Sequence, residues 1–159
     1  MKIEYTPIGV IHSPFTELQG MPIQPSGADG VMGTVEVFQE FHAGLKDLAG
    51  FSHIVLLYHF HRSQGFKLHV VPFMDSQARG LFATRAPRRP NPIGLSIVRL
   101  HSIESGVLSI EKVDVLDGTP LLDIKPYVPE FDAHTDVWTG WLEEARRTVS
   151  DRKSDDRFR

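Results

Sequence analysis

The stretch SHIVLLYHFH, residues 52–61, carries the clearest strand pattern in the chain. An extended backbone points successive side chains to opposite faces of a sheet. One face then holds Ile54, Leu56, Tyr58 and Phe60, and the other holds His53, Val55, Leu57, His59 and His61. Because the first face is entirely apolar or aromatic, the pattern predicts a strand that packs this face against a core and turns a partly polar face outward.

Further short strand patterns lie on both sides of this stretch. They are separated by turn residues and cover residues 3–11, 30–38, 68–73, 80–84, 93–103, 107–115 and 121–125. We expect the last two to pair with each other, because the Asp117-Gly118 dipeptide between them favours a tight connection. Apolar residues at helical spacing predict a short helix at 39–48 and a longer C-terminal helix at 135–149.

This order of elements predicts a mainly β protein, either a closed or nearly closed β-barrel or a sandwich. A chain of 159 residues fits one domain, which we expect to span residues 1–150. The last nine residues, DRKSDDRFR, are strongly charged and are predicted to form a disordered tail at 151–159.

The composition excludes several classes of protein. A net charge of −3 argues against a general nucleic-acid binder, which usually carries a basic excess over a whole face. The absence of cysteine excludes disulfides, thiolate metal sites and a cysteine nucleophile. No segment has the length and apolar character of a signal peptide or a membrane span, so we expect a cytoplasmic protein with no membrane partner.

The loop ATRAPRRPNPIG, residues 83–94, is the strongest candidate for chemistry. Its three arginines alternate with prolines, which fix φ and bias the preceding residue toward extended geometry. Arginines held on such a backbone lose little further entropy on binding, and their planar forks suit carboxylates and phosphates. The alternative is a solvated turn whose arginines pair with surface acids.

A second candidate is LDGTPLLDIKPY, residues 116–127. The turn Asp117-Gly118-Thr119 can present backbone amides and a hydroxyl to a ligand. The alternative is a plain hairpin turn followed by a structural pair between Asp123 and Lys125, which share a strand face.

Other kinds of site find less support in the sequence. His59 and His61 point the same way and could chelate zinc, but a site needs a third ligand, so we predict no metal. We expect one or two of the histidines to line a polar pocket instead and the rest to be partly exposed. The glycine pattern of a dinucleotide fold and the GxSxG elbow of a serine hydrolase are both absent.

Four segments together resemble the TsaA-like or YaeB-like family, also called TrmO. They are PIGVIHSPF (7–15), GFSHIVLLYHFH (50–61), GLFATRAPRRPNPIGLSIVRL (80–100) and LDGTPLLDIKPY (116–127). The resemblance covers the chain from residue 5 to about residue 130. It implies a single β-barrel domain, S-adenosylmethionine as cofactor, and methylation of N6 of threonylcarbamoyladenosine at adenosine 37, in the anticodon loop of tRNA. It also implies a homodimer with the pocket near the subunit interface.

The resemblance also assigns roles to residues. Those expected to bind the cofactor are Gln24, Pro25, Ser26, His61, Arg62, Arg85, Asp117, Gly118 and Thr119. Those expected to face the acceptor or its RNA are Arg88, Arg89, Asn91, Lys125 and Tyr127. Methylation of an N–H group also profits from a base, for which Asp117, Asp123 and His61 are the candidates.

One departure from the family leaves two alternatives open. Longer bacterial members carry a second domain after the barrel that is thought to engage tRNA, whereas this chain ends soon after the predicted C-terminal helix. The alternatives are a sensor module that binds S-adenosylmethionine without using it and a small-molecule methyltransferase without a tRNA substrate.

Overall fold

A computed structural model describes residues 1–17, 19, 21, 27–73 and 75–145 of the protein. Within these residues six strands form a closed antiparallel barrel in the order β1-β2-β7-β6-β3-β8. The barrel strands are β1 (Gly9–His12), β2 (Met32–Val37), β3 (His53–His59), β6 (Ile93–Glu104), β7 (Val107–Glu111) and β8 (Thr119–Pro126). A separate two-stranded ribbon pairs β4 (His69–Val70) with β5 (Arg79–Gly80). The prediction of a mainly β protein with a closed barrel is confirmed.

The core lies inside the barrel, where the alternating patterns of the strands place it. Ile54, Leu56 and Tyr58 of β3 are buried, while the residues between them are partly exposed. The long strand β6 alternates in the same way, with Val98 and Leu100 inside. The faces assigned from the sequence to the central strand are therefore correct.

The predicted pairing of the last two strands is wrong. β7 pairs with β2 and β6, whereas β8 pairs with β1 and β3. The two-residue hairpin turn lies instead at Ser105-Gly106, where φ is 50° and 81° as a tight turn between antiparallel strands requires. The Asp117-Gly118 turn leads from β7 across to the other side of the barrel, and the Gly118 N–H donates to the carbonyl of Ile11.

The predicted helices differ from the structure. In place of one helix at 39–48 there are two 3-10 helices, Gln39–Leu45 and Leu48–Gly50, separated by Asp47 with a left-handed φ of 66°. Within the described part of 135–149, only α2 (Leu142–Ala145) is helical, because Gly140 has φ of 56° and the Trp141 indole donates to the Ala83 carbonyl. A further short helix, α1 (Pro129–Asp132), was not predicted.

Several predicted strands are shorter than expected. The segment 3–11 is extended in the barrel only from Gly9, and the residues before Ile8 are exposed. The segments 68–73 and 80–84 contribute two residues each to the ribbon, and Leu81–Ala83 forms a 3-10 helix. The domain boundary at residue 150 and the tail at 151–159 lie outside the described residues and stay predictions.

The topology brings three long connections to one end of the barrel, here called the loop end. The connections are 13–31 after β1, 60–92 after β3 and 112–118 after β7. They share an end because the register pairs Ile11 with Thr119, Met32 with Glu111 and His59 with Ile93. The opposite end carries the 3-10 helices Gln39–Leu45 and Leu48–Gly50 and the Ser105-Gly106 hairpin.

Candidate functional site

The loop end gathers most of the residues that the sequence singles out. The connection 60–92 carries His61, Arg62, Arg85, Arg88, Arg89 and Asn91, and the segment 117–119 at the start of β8 carries Asp117, Gly118 and Thr119. The connection 13–31 includes Gln24, Pro25 and Ser26, which lie outside the described residues. Two motifs far apart in sequence therefore lie at the same end of the barrel.

The Asp117 carboxylate is held in place by the end of β1. Its Oδ1 lies 3.1 Å from His12 Nδ1 and accepts a hydrogen bond of 3.2 Å from the Ser13 N–H. The hydrogen bond from Ser13, with further help from His12, holds the pKa of Asp117 below its ordinary value. Asp117 is thus an ionised and well-oriented acceptor, and its lowered pKa makes it a weak base.

The Thr119 hydroxyl is used within its own turn. It is buried and donates to the Leu116 carbonyl over 2.7 Å. The backbone of the turn is anchored as well, because the Asp117 N–H donates to the Phe15 carbonyl. A ligand can therefore use the exposed edge of this turn, while the Thr119 side chain keeps the turn in shape.

The three arginines of the loop differ in what they contact. The Arg89 guanidinium donates to the carbonyls of Thr84 (2.9 Å) and Ala86 (3.2 Å) and lies over the Phe82 ring at 5.8 Å from its centroid. Arg85 is exposed. Arg88 is partly buried, and its Nε has no hydrogen-bond partner among the described residues. Arg89 is thus used within the loop, whereas Arg85 and the Nε of Arg88 make no hydrogen bond to the described residues.

Substituting Arg89 with methionine is expected to loosen this loop. The variant keeps much of the side-chain volume but loses a charged donor that satisfies loop carbonyls, and hydrogen bonds to charged groups contribute about 1.5–3 kcal/mol. We expect urea unfolding to show a loss of stability of about that size. As a matched control, Arg99→Met removes an exposed arginine from the outer face of β6 and should have little effect. Equal stability of both variants would show that the Arg89 contacts do not hold the loop.

His61 lies in a turn directly after β3 and is exposed. Partial burial lowers the pKa of His61, and the nearby charges of Arg62 and His59 lower it further. The imidazole is therefore neutral near pH 7, with a lone pair available to a hydrogen-bond donor.

Asp123, Lys125 and Tyr127 are not brought to the loop end. Lys125 Nζ lies 2.7 Å from Asp123 Oδ2, so the structural pair considered as the alternative is present. Tyr127 follows β8 at the opposite end, where its N–H donates to the His53 carbonyl and its ring meets the His53 ring edge-on. Their predicted roles in catalysis and acceptor binding stay predictions, because these three residues do not lie with the other candidates at the loop end.

A cleft of about 520 Å³ also lies at that opposite end, between the 3-10 helices and β8. Its walls are mainly apolar, with contributions from Phe41, Leu48, Phe51 and Ile124. Asp123 is at its edge, but none of the arginines of the loop lines it. Because polar groups that could orient a charged ligand are concentrated at the loop end, we place the candidate site there and not in this cleft.

Sequence reasoning missed a polar network inside the barrel. The Tyr58 hydroxyl lies 2.9 Å from Ser96 Oγ, and Ser96 Oγ donates to Asp114 Oδ1 over 2.6 Å. Tyr58 and Ser96 are buried, and Asp114 is partly buried on the connection after β7. Burial raises the pKa of Asp114 to about 6, although the hydrogen bond from Ser96 and the charge of Arg85 oppose this.

One sequence signal could have revealed this network. Ser96 interrupts the inward-facing set of β6 and Asp114 interrupts an otherwise apolar run, and buried polar residues on core faces need partners. The pKa of Tyr58 is raised above its ordinary value, first by burial and then by the charge of Asp114. The Arg85 charge lowers it, so the arginine loop acts electrostatically on the network.

Two negative findings apply to the described residues alone. No group of three or more His, Asp or Glu side chains there is arranged to hold a metal ion. Nor does that part of the chain contain a helix long and apolar enough to cross a membrane.

Fold and site together define a β-barrel domain whose polar loops meet at one end. Residues 10–133 match the family model of the tRNA-methyltransferase O N-terminal domain, and the chain belongs to this family.

Known relatives agree with this assignment. A probable S-adenosyl-L-methionine-binding protein of Pyrococcus abyssi is 56% identical over 158 residues, which covers 99% of this chain and 86% of that protein. The human tRNA (adenine(37)-N6)-methyltransferase is 33% identical over 138 residues, which covers 82% of this chain and 31% of the human protein. The crystal structure of TrmO from Pseudomonas aeruginosa matches with a TM-score of 0.75 and 42% identity, covering 89% of this chain and 63% of that one. The chain is thus similar to part of the longer enzymes.

Proposed function

We propose that this protein is an S-adenosylmethionine-dependent methyltransferase that methylates N6 of threonylcarbamoyladenosine at position 37 of tRNA. The observation that carries the proposal is that the arginine loop and the Asp117-Gly118-Thr119 turn lie at the same end of the barrel. Family membership and the names of the relatives supply the chemistry. Because the tRNA-acting human relative is much longer than this chain, the acceptor is the part of the proposal that most needs a test.

The residues at the loop end suit the cofactor. S-adenosylmethionine has a carboxylate, which a guanidinium can bind, and two cationic groups, the ammonium and the sulfonium, which acidic side chains can face. Arg85 is exposed on the arginine loop, Asp117 is ionised on its turn at the same end of the barrel, and the buried Nε of Arg88 has no partner among the described residues. When bound, the cofactor supplies an activated methyl group, and the protein contributes mainly by aligning the acceptor nitrogen with it.

The acceptor is proposed to approach over the arginine loop. Arg88 and Asn91 lie on this loop outside the barrel wall, and an anticodon loop offers unstacked bases and phosphates without melting a duplex. A local basic patch is sufficient to steer RNA toward a protein of net charge −3. We accordingly expect the protein to act in the cytoplasm, where its substrate is found.

We also propose a homodimer. The outward face of β6 exposes Ile93, Leu95 and Ile97 by 37%, 46% and 36%, next to the partly exposed Val55 and Leu57 of β3. A run of aliphatic side chains on adjacent strands is the type of surface that a second copy of the chain would cover.

Cofactor binding is tested by calorimetry with S-adenosylmethionine. We expect the Arg85→Ala, Asp117→Ala double variant to bind at least tenfold more weakly than the wild type, since both charges are at the proposed pocket. A double variant with the same types of charge removed elsewhere on the surface, Arg99→Ala with Glu104→Ala, serves as control and should bind normally. Unchanged affinity in the first variant would place the pocket elsewhere.

The acceptor is tested with labelled S-adenosylmethionine and tRNA from cells that lack this gene. Label at N6 of threonylcarbamoyladenosine supports the proposal. Tight cofactor binding without transfer to tRNA would favour the sensor module, which the names of the archaeal relatives also allow because they mention binding only. Transfer to a small molecule in a cell extract would favour the alternative of a small-molecule methyltransferase without a tRNA substrate.

A further inference from the structure

The network of Tyr58, Ser96 and Asp114 has no assigned role in the reaction described above. We propose that Asp114 is the proton acceptor of methyl transfer, positioned by Ser96 and Tyr58. This inference rests on the proposed function and names a base other than the three candidates from the sequence, Asp117, Asp123 and His61.

The position of Asp114 is the first argument. It lies on the connection 112–118, three residues before Asp117, and so belongs to the loop end. Its carboxylate is within the electrostatic reach of Arg85, which is part of the arginine loop. Asp114 therefore lies on the connection that carries the Asp117 turn, and its carboxylate is influenced by the charge of the arginine loop.

The geometry of the carboxylate is the second argument. Ser96 donates to Oδ1 over 2.6 Å and is itself fixed by the Tyr58 hydroxyl at 2.9 Å, with both side chains buried. The carboxylate also accepts a hydrogen bond from the backbone N–H of Asp114 itself, and no second side chain in the described part of the protein donates to it. A chain of two buried hydroxyls thus anchors Oδ1, and a carboxylate with about four acceptor sites keeps capacity for a further donor.

The backbone is also adapted to this network. Gly94 faces Tyr58 across β3 and β6, and a Cβ on Gly94 would lie 2.2 Å from Tyr58 Cε2. β6 therefore has no side chain at this position, which leaves space for the Tyr58 ring, whose hydroxyl is the last in the chain of hydroxyls. Tertiary structure has been shaped around three polar groups in an otherwise apolar barrel.

The other candidates for the base are less suitable. Asp117 is bound by Ser13 and His12 and has a lowered pKa. Asp123 forms an ion pair with Lys125, away from the loop end. His61 also has a lowered pKa, which reduces its affinity for a proton. Burial raises the pKa of Asp114 to about 6, which makes it a stronger base than an ordinary carboxylate while it remains ionised near pH 7.

The electron pair of the acceptor nitrogen forms the bond to the methyl carbon, and the carbon–sulfur bond breaks with its electron pair remaining on sulfur. The proton moves from the nitrogen to Asp114 Oδ2 and is later released to water. The positive charge lost from sulfur thus leaves as a proton.

The test compares Asp114→Asn with Glu111→Gln, a control that removes a hydrogen-bonded carboxylate from the outer face of β7. We expect Asp114→Asn to lower kcat by about 100-fold or more, the usual contribution of a general base, with unchanged affinity for S-adenosylmethionine. Asp114→Glu should recover part of the rate. Glu111→Gln should behave as the wild type. Methyl transfer by the wild type together with a less than threefold loss in Asp114→Asn would overturn the role of Asp114 alone. No transfer by the wild type to any acceptor would overturn the proposed function and this inference together.

A second measurement does not depend on activity. Carboxyl carbon shifts measured by NMR in the ligand-free protein report the titration of Asp114, whose midpoint should be about 6 in the wild type. Ser96→Ala removes a hydrogen bond that lowers this pKa, so its midpoint should move to higher pH. The acid limb of the kcat profile should move in the same direction by the same amount. A titration that moves while the kcat profile does not would refute the role of Asp114 as the base.

Discussion

Asp114→Asn is expected to become more stable relative to the wild type as the pH rises from about 4 to about 7. In the folded protein burial raises the pKa of Asp114 to about 6, whereas in the unfolded chain this carboxyl titrates near its ordinary value of 3.8. The folded state therefore binds the proton more tightly. The stability that protonated Asp114 contributes is complete below the unfolded pKa and is lost as the pH rises through the folded pKa. The gap between the folded and unfolded pKa values corresponds to about 3 kcal/mol. This is an upper limit for the gain in the free energy of unfolding of the variant relative to the wild type.

The measurement is urea unfolding of both proteins across this pH range. Groups that face Asp114 are Ser96, Tyr58 and Arg85, and only Asp114 itself titrates between the two pH values. Glu111→Gln is a control of opposite sign, because the hydrogen bond with His101 lowers the pKa of Glu111. Stability from Glu111 is present above its ordinary pKa and lost as the pH falls, so the control should lose stability toward neutral pH. Parallel pH profiles for Asp114→Asn and the wild type would contradict a raised pKa.

Greater stability together with lower activity in Asp114→Asn would indicate that the network serves function and not stability. A buried carboxylate that only served packing would be expected to stabilise the fold, and its removal would destabilise it. A group kept in place at a cost to stability points to a requirement of function. Asp114 is expected to show this combination, and Glu111 is not.

The sequence predicted the barrel well where one strand face is buried. The alternation in 52–61 assigns the inward and outward faces of β3 correctly, because a shift by one residue would expose Ile54 and Leu56. Pairing between strands was harder to predict. It depends on contacts between distant segments, and the local turn preference of Asp117-Gly118 favoured a hairpin that the barrel does not contain.

The same distinction applies to the candidate site. The arginine loop and the Asp117 turn were visible as motifs, and closure of the barrel brings them to one end. The hydrogen bonds of Arg89 within its own loop could not be predicted from the sequence. Its partners are backbone carbonyls, and no sequence pattern indicates where these lie. Ser96 and Asp114 were missed for a related reason. They are adjacent only because β6 and the connection after β7 meet inside the barrel.

The C-terminal segment illustrates how tertiary contacts can override a helical pattern. The apolar spacing in 135–149 predicted a helix, but Trp138 is almost fully exposed, and Trp141 packs under the Arg79 guanidinium with its indole bound to Ala83. This contact fastens the segment to the residue that begins the arginine loop. Trp141 therefore packs against the start of the arginine loop instead of forming one face of a helix.

Gly94→Ala is expected to destabilise the protein and to disable the network. A Cβ at this position would lie 2.2 Å from Cε2 and 2.5 Å from Cζ of Tyr58, well inside the contact distance of carbon atoms. The Tyr58 ring is buried and packs edge-on against Phe60 at 5.4 Å, so it cannot move aside without losing its contacts. Overpacking of this kind costs about 1–3 kcal/mol or more, and a displaced ring would also release Ser96.

The experiment separates the clash from the general effect of adding a methyl group. Gly80→Ala is the matched control, because Gly80 is also in a strand and has open space around its Cα. In that setting the substitution should be neutral or slightly stabilising through the unfolded state. The double variant Gly94→Ala, Tyr58→Leu removes the ring atoms that clash and should recover much of the stability but not the activity, since the hydroxyl is gone. Full activity in this double variant would show that Ser96 and Asp114 do not need the Tyr58 hydroxyl. If the double variant were as unstable as Gly94→Ala alone, the Tyr58 ring would not be the reason why this position needs glycine.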